Sequence, residues 1–167
     1  NETELLVLIK ISNPKSNLSV KALIFSGLFF VDRDSKKWRL KGVQIYRKQL
    51  KEQILQDGGH FEKSPMYHAI ILEDILDIIN LSNNNSILPS DFREQLIETA
   101  EKMLSWLNIM SYKNGETPNF NDNAKNVSHN IIELSKYAQN LGIKTFKLIK
   151  KNSELTIKDL NLSLIHI

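Results

Sequence analysis

Four proton-handling side chains lie close together between Asp57 and His68, in the segment DGGHFEKSPMYH. They are His60, Glu62, Tyr67 and His68. Imidazole, carboxylate and phenol groups can each donate or accept a proton, so this composition suits general acid–base catalysis. Two glycines near the start of the segment end one helical pattern, and a proline within it opens the next helix. The spacing therefore predicts a proton-transfer site on a loop between two helices.

A structural role is the alternative for each of these residues. Tyr67 could be a half-buried tyrosine whose hydroxyl bonds to the backbone. The histidines could be hydrogen-bonded core residues, and Glu62 could complement the dipole of the following helix. A metal site at His60, Glu62 and His68 is disfavoured because the histidines are separated by a turn and no further ligand is evident. We expect no metal and no cofactor.

A second polar segment, residues 112–122, contains the run GETPNFND. Asn119, Asn121 and Asp122 provide amide and carboxylate groups that can hydrogen-bond to hydroxyl groups of a substrate. The alternative is a plain turn in which Asn121 or Asp122 caps the next helix. The segment is thus a second candidate for substrate binding.

Five helices are predicted to position these two loops, because apolar residues recur at intervals of three and four. Capping residues, an initial proline and a terminal glycine place them near residues 18–30, 35–55, 65–81, 90–107 and 124–141. The first helix is apolar on nearly every face, which predicts deep burial, and Ser26-Gly27 indicates a close helix–helix approach. The basic residues of the second helix indicate a solvated face. We expect an all-α fold of antiparallel helix hairpins.

Composition narrows the class of protein. The chain has 167 residues, 41% of them hydrophobic and 25% charged, which is enough for one domain with a core. The net charge of +3 would tolerate an acidic polymer but does not indicate nucleic-acid binding. The absence of cysteine excludes disulfides and thiolate metal sites. No apolar run reaches the roughly 18 residues of a membrane span, and no motif specifies an oligomeric state.

We expect the chain to be a piece of a longer protein that is truncated at both ends. It begins with Asn1 rather than methionine, so a signal peptide would not be visible. The last six residues, LSLIHI at 162–167, match the translation of a mosaic-end adaptor used in transposon-based sequencing libraries. We therefore interpret 162–167 as an adaptor-derived tail and give His166 no functional role. Residues 143–161 are expected to be a linker or the start of a further segment.

Taken in order, these segments resemble the heparinase II/III family of polysaccharide lyases. The resemblance runs from about residue 21 to 142 and rests on KALIFSGLFF, QILQ followed by DGGHFEKSPMYH, LEDILD, GETPNFND and LSKYAQNLG. It is greatest to the branch found among bacterial surface-polysaccharide genes. It implies that residues 1–142 are an incomplete (α/α) toroid, that a β-sandwich domain is missing, and that the full-length protein is periplasmic or secreted.

The family's reaction is β-elimination at a uronic acid of an acidic polysaccharide. A base removes the C5 proton, which is acidic once the neighbouring carboxylate is neutralised, and an acid protonates the departing O4. The resemblance assigns Tyr67 as that acid, and as the base also if nearby positive charge or donors favour its ionised form. His60 and His68 could supply those donors, and Glu62 could orient one of them. We expect this fragment to be inactive alone.

One departure concerns the group that neutralises the substrate carboxylate. The surface-polysaccharide branch usually has an Asn-His pair just before the first of these helices, where this chain has Pro14 and Lys15. Asn13 and Asn17 are close, and Asn17 is our candidate for substrate binding. The alternatives are a subgroup that uses asparagine or lysine, a non-catalytic glycan-binding relative, and a reading error before about residue 18. A helical scaffold with purely structural loops is a further interpretation.

Overall fold

The computed structural model describes residues 17–31, 34–83, 88–119, 121–124 and 126–145, without the side chains of 17–19. Its five helices are α1 (Asn17–Phe29), α2 (Ser35–Gln53), α3 (Pro65–Asn83), α4 (Ser90–Met110) and α5 (Ile131–Asn140). Within these ranges the only extended pairing is an isolated bridge between Ile54 and His60. The predicted all-α class is confirmed. Most of the predicted linker and the whole predicted tail lie outside the described residues.

Helices α1 and α2 form a close-packed antiparallel hairpin. A Cβ atom on Gly27 would lie 2.6 Å from the backbone nitrogen of Arg39, and one on Gly42 would lie 2.7 Å from Cγ1 of Ile24. Later residues of α1 therefore face earlier residues of α2, as an antiparallel pair requires. The guanidinium of Arg39 also donates to the carbonyl of Gly27 at 2.8 Å. The predicted close approach at Gly27 is confirmed.

Helices α3 and α4 form a second antiparallel hairpin. His68 near the start of α3 stacks on Trp106 near the end of α4, with ring centroids 4.5 Å apart. At the other end, Arg93 of α4 donates to Oδ1 of Asn83 of α3 at 2.6 Å. One core joins the hairpins, and its largest fully buried side chains are Ile24, Tyr46, Leu72, Ile75, Leu76, Ile78, Ile79, Phe92, Leu96, Met103, Trp106 and Leu107.

Helix α1 is less buried than its composition predicts. Val20, Leu23 and Ile24 are buried, but Phe29 is 81% exposed, and Val31 just beyond the helix is also exposed. The helix packs on α2 and α3 along one side. Phe25 and Leu28 are partly buried against the core, whereas Phe29 lies at the surface of the described part of the chain. The prediction of burial on nearly every face was wrong for Phe29.

Helix α5 begins later than predicted. The periodicity predicted a helix over 124–141, whereas the helix starts at Ile131. The Asn130 side chain accepts two backbone N–H groups of the first turn, and Glu133 accepts the N–H of Asn130, which together form a capping box. Upstream, Asn126 has a φ of 62°, outside the range of a right-handed helix. The predicted start was wrong because the capping box at Asn130 begins the helix at Ile131.

The end of α5 agrees with the prediction. Gly142 has a φ of 77°, which the absence of a Cβ makes easy to adopt. Its N–H donates to Gln139, and the N–H of Ile143 donates to Ala138, each at 3.0 Å. These paired bonds are those of a Schellman C-cap, so the glycine stops the helix.

The start of α2 also differs in its detail. Asp34 occupies the N-cap position, as predicted, but makes no side-chain cap hydrogen bond. Its carboxylate instead accepts from Nζ of Lys37 at 2.8 Å.

None of the helices in the described ranges is long and apolar enough to cross a membrane.

The hairpin of α1 and α2 yields a first prediction. Replacing Gly27 by alanine places a methyl group against backbone atoms of α2, which cannot retreat as a flexible side chain would. We expect Gly27→Ala to lower the free energy of unfolding by about 1–3 kcal/mol in urea denaturation.

The matched control is Ser26→Ala, which introduces the same residue one position earlier, where the side chain is only partly buried. It should change stability by less than about 0.5 kcal/mol. Equal stabilities of the two variants would show that Gly27 does not set the approach of the helices.

Candidate active site

Loop 1, residues 54–64, lies against α4 through its two glycines. Gly58 has a φ of 88°, and a Cβ there would overlap the carbonyl of Lys102. A Cβ on Gly59 would lie 2.7 Å from Nε1 of Trp106. Oδ1 of Asp57 accepts the N–H of Gly59 at 3.0 Å and so closes the turn. The Asp-Gly-Gly run is therefore the part of the loop that allows close packing on α4.

His68 ties loop 1 to the core. Its side chain is 0% exposed, and its Nδ1 accepts the backbone N–H of His60 at 3.3 Å. Because Nδ1 accepts, the neutral ring carries its proton on Nε2, which donates to the carbonyl of Met103 at 3.0 Å. Both ring nitrogens thus bond to backbone groups, while the ring face stacks on Trp106. His68 fixes the loop to α3 and α4 at once.

His60 is also buried, at 4% exposure. Its backbone pairs with Ile54 across the loop, whereas its Nδ1 has no hydrogen-bond partner among the described residues. Desolvation lowers the pKa of His60 to about 4. Desolvation likewise lowers the pKa of His68 to about 3, against the opposing effect of the Met103 carbonyl. Both rings are neutral at neutral pH, so neither brings positive charge to the loop.

Tyr67 lies on the first turn of α3, next to the buried His68 but directed differently around the helix. It is 39% exposed. Its backbone N–H donates to Oγ of Ser64 at 3.4 Å, so the buried serine caps the turn that carries the tyrosine. Glu62 is exposed in the same loop. Loop 1 and the first turn of α3 therefore present a carboxylate and a phenol at the surface, whereas His60 and His68 are buried.

Loop 2, residues 111–130, is joined to loop 1 by a hydrogen bond from Asn121. Nδ2 of Asn121 donates to the carbonyl of Lys63 at 3.3 Å, close to the start of α3. Asn119 and Asp122 are exposed nearby in the chain. The alternative in which Asn121 or Asp122 caps the next helix is wrong, because Asn130 caps it. The structure thus joins the two loops that the sequence singled out.

Asn17, the remaining predicted site residue, begins α1, but its side chain lies outside the described part of the structure. Residues 13–15, at the position of the expected carboxylate neutraliser, also lie outside it. Among the described residues, no group of three or more His, Asp and Glu side chains is arranged to hold a metal ion.

A polar network that sequence reasoning missed crosses three helices. Nζ of Lys21 donates to Asp74 at 2.7 Å and also to Asp77. The hydroxyl of Tyr137 donates to Asp77 at 2.9 Å and accepts from Asn80 at 3.1 Å. Desolvation raises the pKa of Tyr137 to about 12, aided by Asp77. A lone lysine in the apolar α1 was the available signal, because a half-buried ammonium needs an anionic partner.

His129 was also missed. Its Nδ1 lies 2.9 Å from Oε2 of Glu73, and this hydrogen bond raises the pKa of the exposed histidine. Glu73 pairs with His129, just before α5, and Asp77, one turn further along α3, pairs with Tyr137 within α5, so α5 runs in the same direction as α3. The N-terminal ends of α3 and α5, and hence loops 1 and 2, therefore lie at one end of the fold.

The class that this geometry defines is an all-helical fold of antiparallel hairpins with two polar loops at one end. Residues 14–160 match the family model described as Heparinase II/III N-terminus. The chain therefore belongs to the heparinase II/III family.

The chain is similar to three heparin-sulfate lyases. It is 30% identical to that of Pedobacter heparinus over 100 residues, 27% to that of Bacteroides stercoris over 101, and 30% to that of Bacteroides thetaiotaomicron over 113. These alignments cover 59%, 60% and 64% of this chain. They cover only 15%, 15% and 16% of the relatives, so the chain spans a small part of their length.

Two solved structures share the fold. A crystal structure of heparinase III superposes with a TM-score of 0.66 at 25% identity, covering 85% of this chain and 23% of that one. A second heparinase III structure gives a TM-score of 0.62 at 21% identity, covering 77% of this chain and 20% of that one. The predicted partial (α/α) toroid is confirmed.

Because His60 and His68 are buried, the free energy of unfolding depends on pH. The unfolded chain binds a proton to each near pH 6.5, whereas the folded chain binds them only near pH 4 and pH 3. The unfolded state thus holds more protons in this range, and the free energy of unfolding falls as the pH decreases. Each histidine contributes about 1.4 kcal/mol per pH unit.

We expect His68→Gln, which retains one donor and one acceptor, to make this decline shallower by roughly that amount between about pH 6 and pH 4, because the pKa of His68 falls from 6.5 in the unfolded chain to about 3 in the folded one. Urea unfolding at several pH values measures it. His129→Gln is the control: the pKa of His129 is raised, so its removal should not make the decline shallower. Identical slopes for wild type and His68→Gln would contradict the neutral, buried state of His68.

Proposed function

We propose that this chain is part of a polysaccharide lyase that cleaves a uronic-acid-containing polysaccharide by β-elimination. In this reaction the C5–H bond breaks, its electrons form the C4–C5 double bond, and the C4–O4 bond breaks as O4 takes up a proton. The observation that carries the proposal is the position of Tyr67, a partly exposed phenol on a turn that buried contacts hold in place. Family membership and the similarity to heparin-sulfate lyases support it.

Tyr67 is the proposed acid for O4. A phenol O–H can donate its proton to the departing oxygen, as a general acid must. For the same tyrosine to remove the C5 proton, substrate-bound or neighbouring donors would have to favour the phenolate. Charge from His60 and His68 does not serve this purpose, because burial keeps both rings neutral. In this proposal His68 positions loop 1 through its two hydrogen bonds to the backbone, and His60 is the neutral histidine of the loop that His68 holds.

Substrate binding is assigned to the exposed polar groups around Tyr67. Glu62 lies on the same loop, and Asn121 lies where loop 2 meets it. Asn119 and Asp122 extend the same surface along loop 2. Amide and carboxylate oxygens of this kind accept hydrogen bonds from sugar hydroxyls.

The neutraliser of the substrate carboxylate is assigned to the N-terminal end of α1. Lys21 is the nearest described cation on that helix, but Asp74 and Asp77 already occupy its ammonium group. Asn17, at the start of α1, is therefore the better candidate, and an amide can donate a hydrogen bond without carrying charge.

The substrate would be an acidic polysaccharide, and the names of the relatives make heparin sulfate the first polymer to test. The full-length protein would act in the periplasm or outside the cell. Residues 1–142 would be the incomplete toroid, with the rest of the substrate cleft supplied by other parts of the protein.

A second candidate is a glycan-binding relative without catalytic activity. The observation that favours it is Pro14-Lys15 at the position of the usual Asn-His pair. Such a protein would bind uronate polymers and release no unsaturated product.

The decisive variant is Tyr67→Phe in the full-length protein that contains this chain. Removing the phenolic proton should lower kcat by about 10²–10⁴-fold, the usual contribution of a general acid. Binding of the polymer should change little, because the ring remains. Formation of unsaturated uronate is followed by its ultraviolet absorbance, and binding by calorimetry.

Tyr112→Phe is the matched control, since it removes the same hydroxyl from another exposed tyrosine on the chain. It should retain wild-type turnover. Turnover of Tyr67→Phe within a few-fold of wild type would exclude the role of Tyr67, and binding without product in the wild type would favour the non-catalytic relative.

A further inference from the structure

One side of α2 carries four exposed lysines, Lys37, Lys41, Lys48 and Lys51. Their spacing follows the helical repeat of about 3.6 residues, so they lie within about 80° of one another around the helix axis. We call these four residues the lysine row. At a rise of about 1.5 Å per residue, the row is roughly 21 Å long.

The lysine row is on the side of α2 that faces away from the core. The residues that the helix buries include Val43, Tyr46 and Leu50, and these lie on the opposite side of the helix. The lysine side chains are 70% exposed at Lys37 and 76% exposed at Lys48. Their ammonium groups are therefore accessible to a ligand at the surface.

Positive charge is concentrated on this helix. It has seven of the 22 basic residues of the chain and only one of the 19 acidic residues, so without α2 the chain would be net negative. Like charges three or four residues apart destabilise a helix slightly. A helix that only needs hydration can mix both signs, as α4 does where Glu98 pairs with Lys102. The excess of lysine on α2 thus indicates a negatively charged partner.

Two exposed carboxylates of the chain already pair with the lysine row. Asp34 accepts from Lys37 at 2.8 Å, and a carboxylate oxygen of Glu52 lies 3.6 Å from Nζ of Lys48. Ion pairs between exposed side chains contribute little to stability. Anionic groups of a ligand can therefore take the place of these carboxylates at little cost.

The row leads along α2 to loop 1. Lys51 lies three residues before Ile54, where loop 1 begins, and at most about 10 Å of chain joins the two positions. None of the four lysines belongs to the residues assigned above to catalysis or substrate binding. The row is therefore a separate surface that ends next to the loop preceding Tyr67.

A single anionic chain suits this row better than a nucleic acid or a membrane does. Bases of single-stranded nucleic acids stack on exposed aromatic side chains, whereas Trp38 and Tyr46, the aromatic residues of α2, are buried. Helices at a membrane surface insert apolar side chains, and Leu40 is the only exposed apolar residue of α2. A polysaccharide with carboxylate or sulfate groups carries its charges in one line, as the row does.

We propose that the lysine row binds an acidic polysaccharide lengthwise along α2. The proposal rests on the proposed function in taking this polymer to be the substrate. The row would hold a stretch of the polymer outside the candidate active site and so keep the rest of it near loop 1.

The test is the binding of a fluorescently labelled heparin-sulfate oligosaccharide to this chain, followed by anisotropy at several salt concentrations. The double variant Lys41→Gln and Lys48→Gln should weaken binding by about tenfold. It should also lower the slope of log Kd against log salt by about one to two, because fewer counterions are released on binding. Circular dichroism checks that the variant retains its helices.

The matched control is the double variant Lys102→Gln and Lys136→Gln, which removes the same charge from exposed positions on α4 and α5. Lys102 pairs with Glu98 four residues away, as Lys48 pairs with Glu52. The control should bind within about twofold of wild type, because salt screens distant charges. Equal weakening by the two double variants would overturn the proposal, since net charge alone would then explain binding.

Two further probes test the class of partner. Exposed Phe29 and Val31 precede α2 in the chain, so vesicles of phosphatidylglycerol are one probe, and a short DNA duplex is the other. Weaker binding of both than of the oligosaccharide is the expected result, and tighter binding of either would overturn the proposal. The two proposals fail separately, because this experiment measures binding and the experiment on Tyr67 measures turnover.

Discussion

The candidate site depends on one buried imidazole. His68 accepts the N–H of His60 on one ring nitrogen and donates to Met103 with the other, so a single side chain joins loop 1, α3 and α4. Both bonds require the neutral ring in one tautomer, which complete burial maintains. Tyr67 follows loop 1 directly and precedes His68 in the chain. Its exposure at a defined place is therefore a consequence of the burial of its neighbour.

The carboxylates of α3 also help to fix the positions of α1 and α5. Asp74 and Asp77 hold Lys21 of α1, and Asp77 also holds Tyr137 of α5. Partly buried charges of this kind cost desolvation free energy, so they contribute more to the relative position of the helices than to net stability. The result is that one residue of α1 and one of α5 are both tied to the middle of α3. Loops 1 and 2 open at the same end of the two parallel helices α3 and α5.

Local patterns in the sequence predicted the features that depend on neighbours in the chain. Apolar periodicity located α3 and α4, Gly142 located the end of α5, and Gly27 indicated the close hairpin. The contacts that fix the site join distant residues, as when His68 meets Met103 or Lys21 meets Asp74, and no local pattern specifies them. The start of α5 was misplaced because the residues before Asn130 are compatible with a helix, and only the capping box excludes one. The family resemblance supplied the proposed role of Tyr67, which residue types alone left open.

Elimination and hydrolysis leave different products, and this difference tests the central claim most directly. The full-length protein is incubated with a heparin-sulfate oligosaccharide of defined length. The masses of the two products are measured by mass spectrometry, and the products are examined by proton NMR. Elimination predicts product masses that add up to the mass of the substrate, with a vinylic proton in one product. Masses that exceed the substrate by one water molecule, without a vinylic proton, would contradict the account.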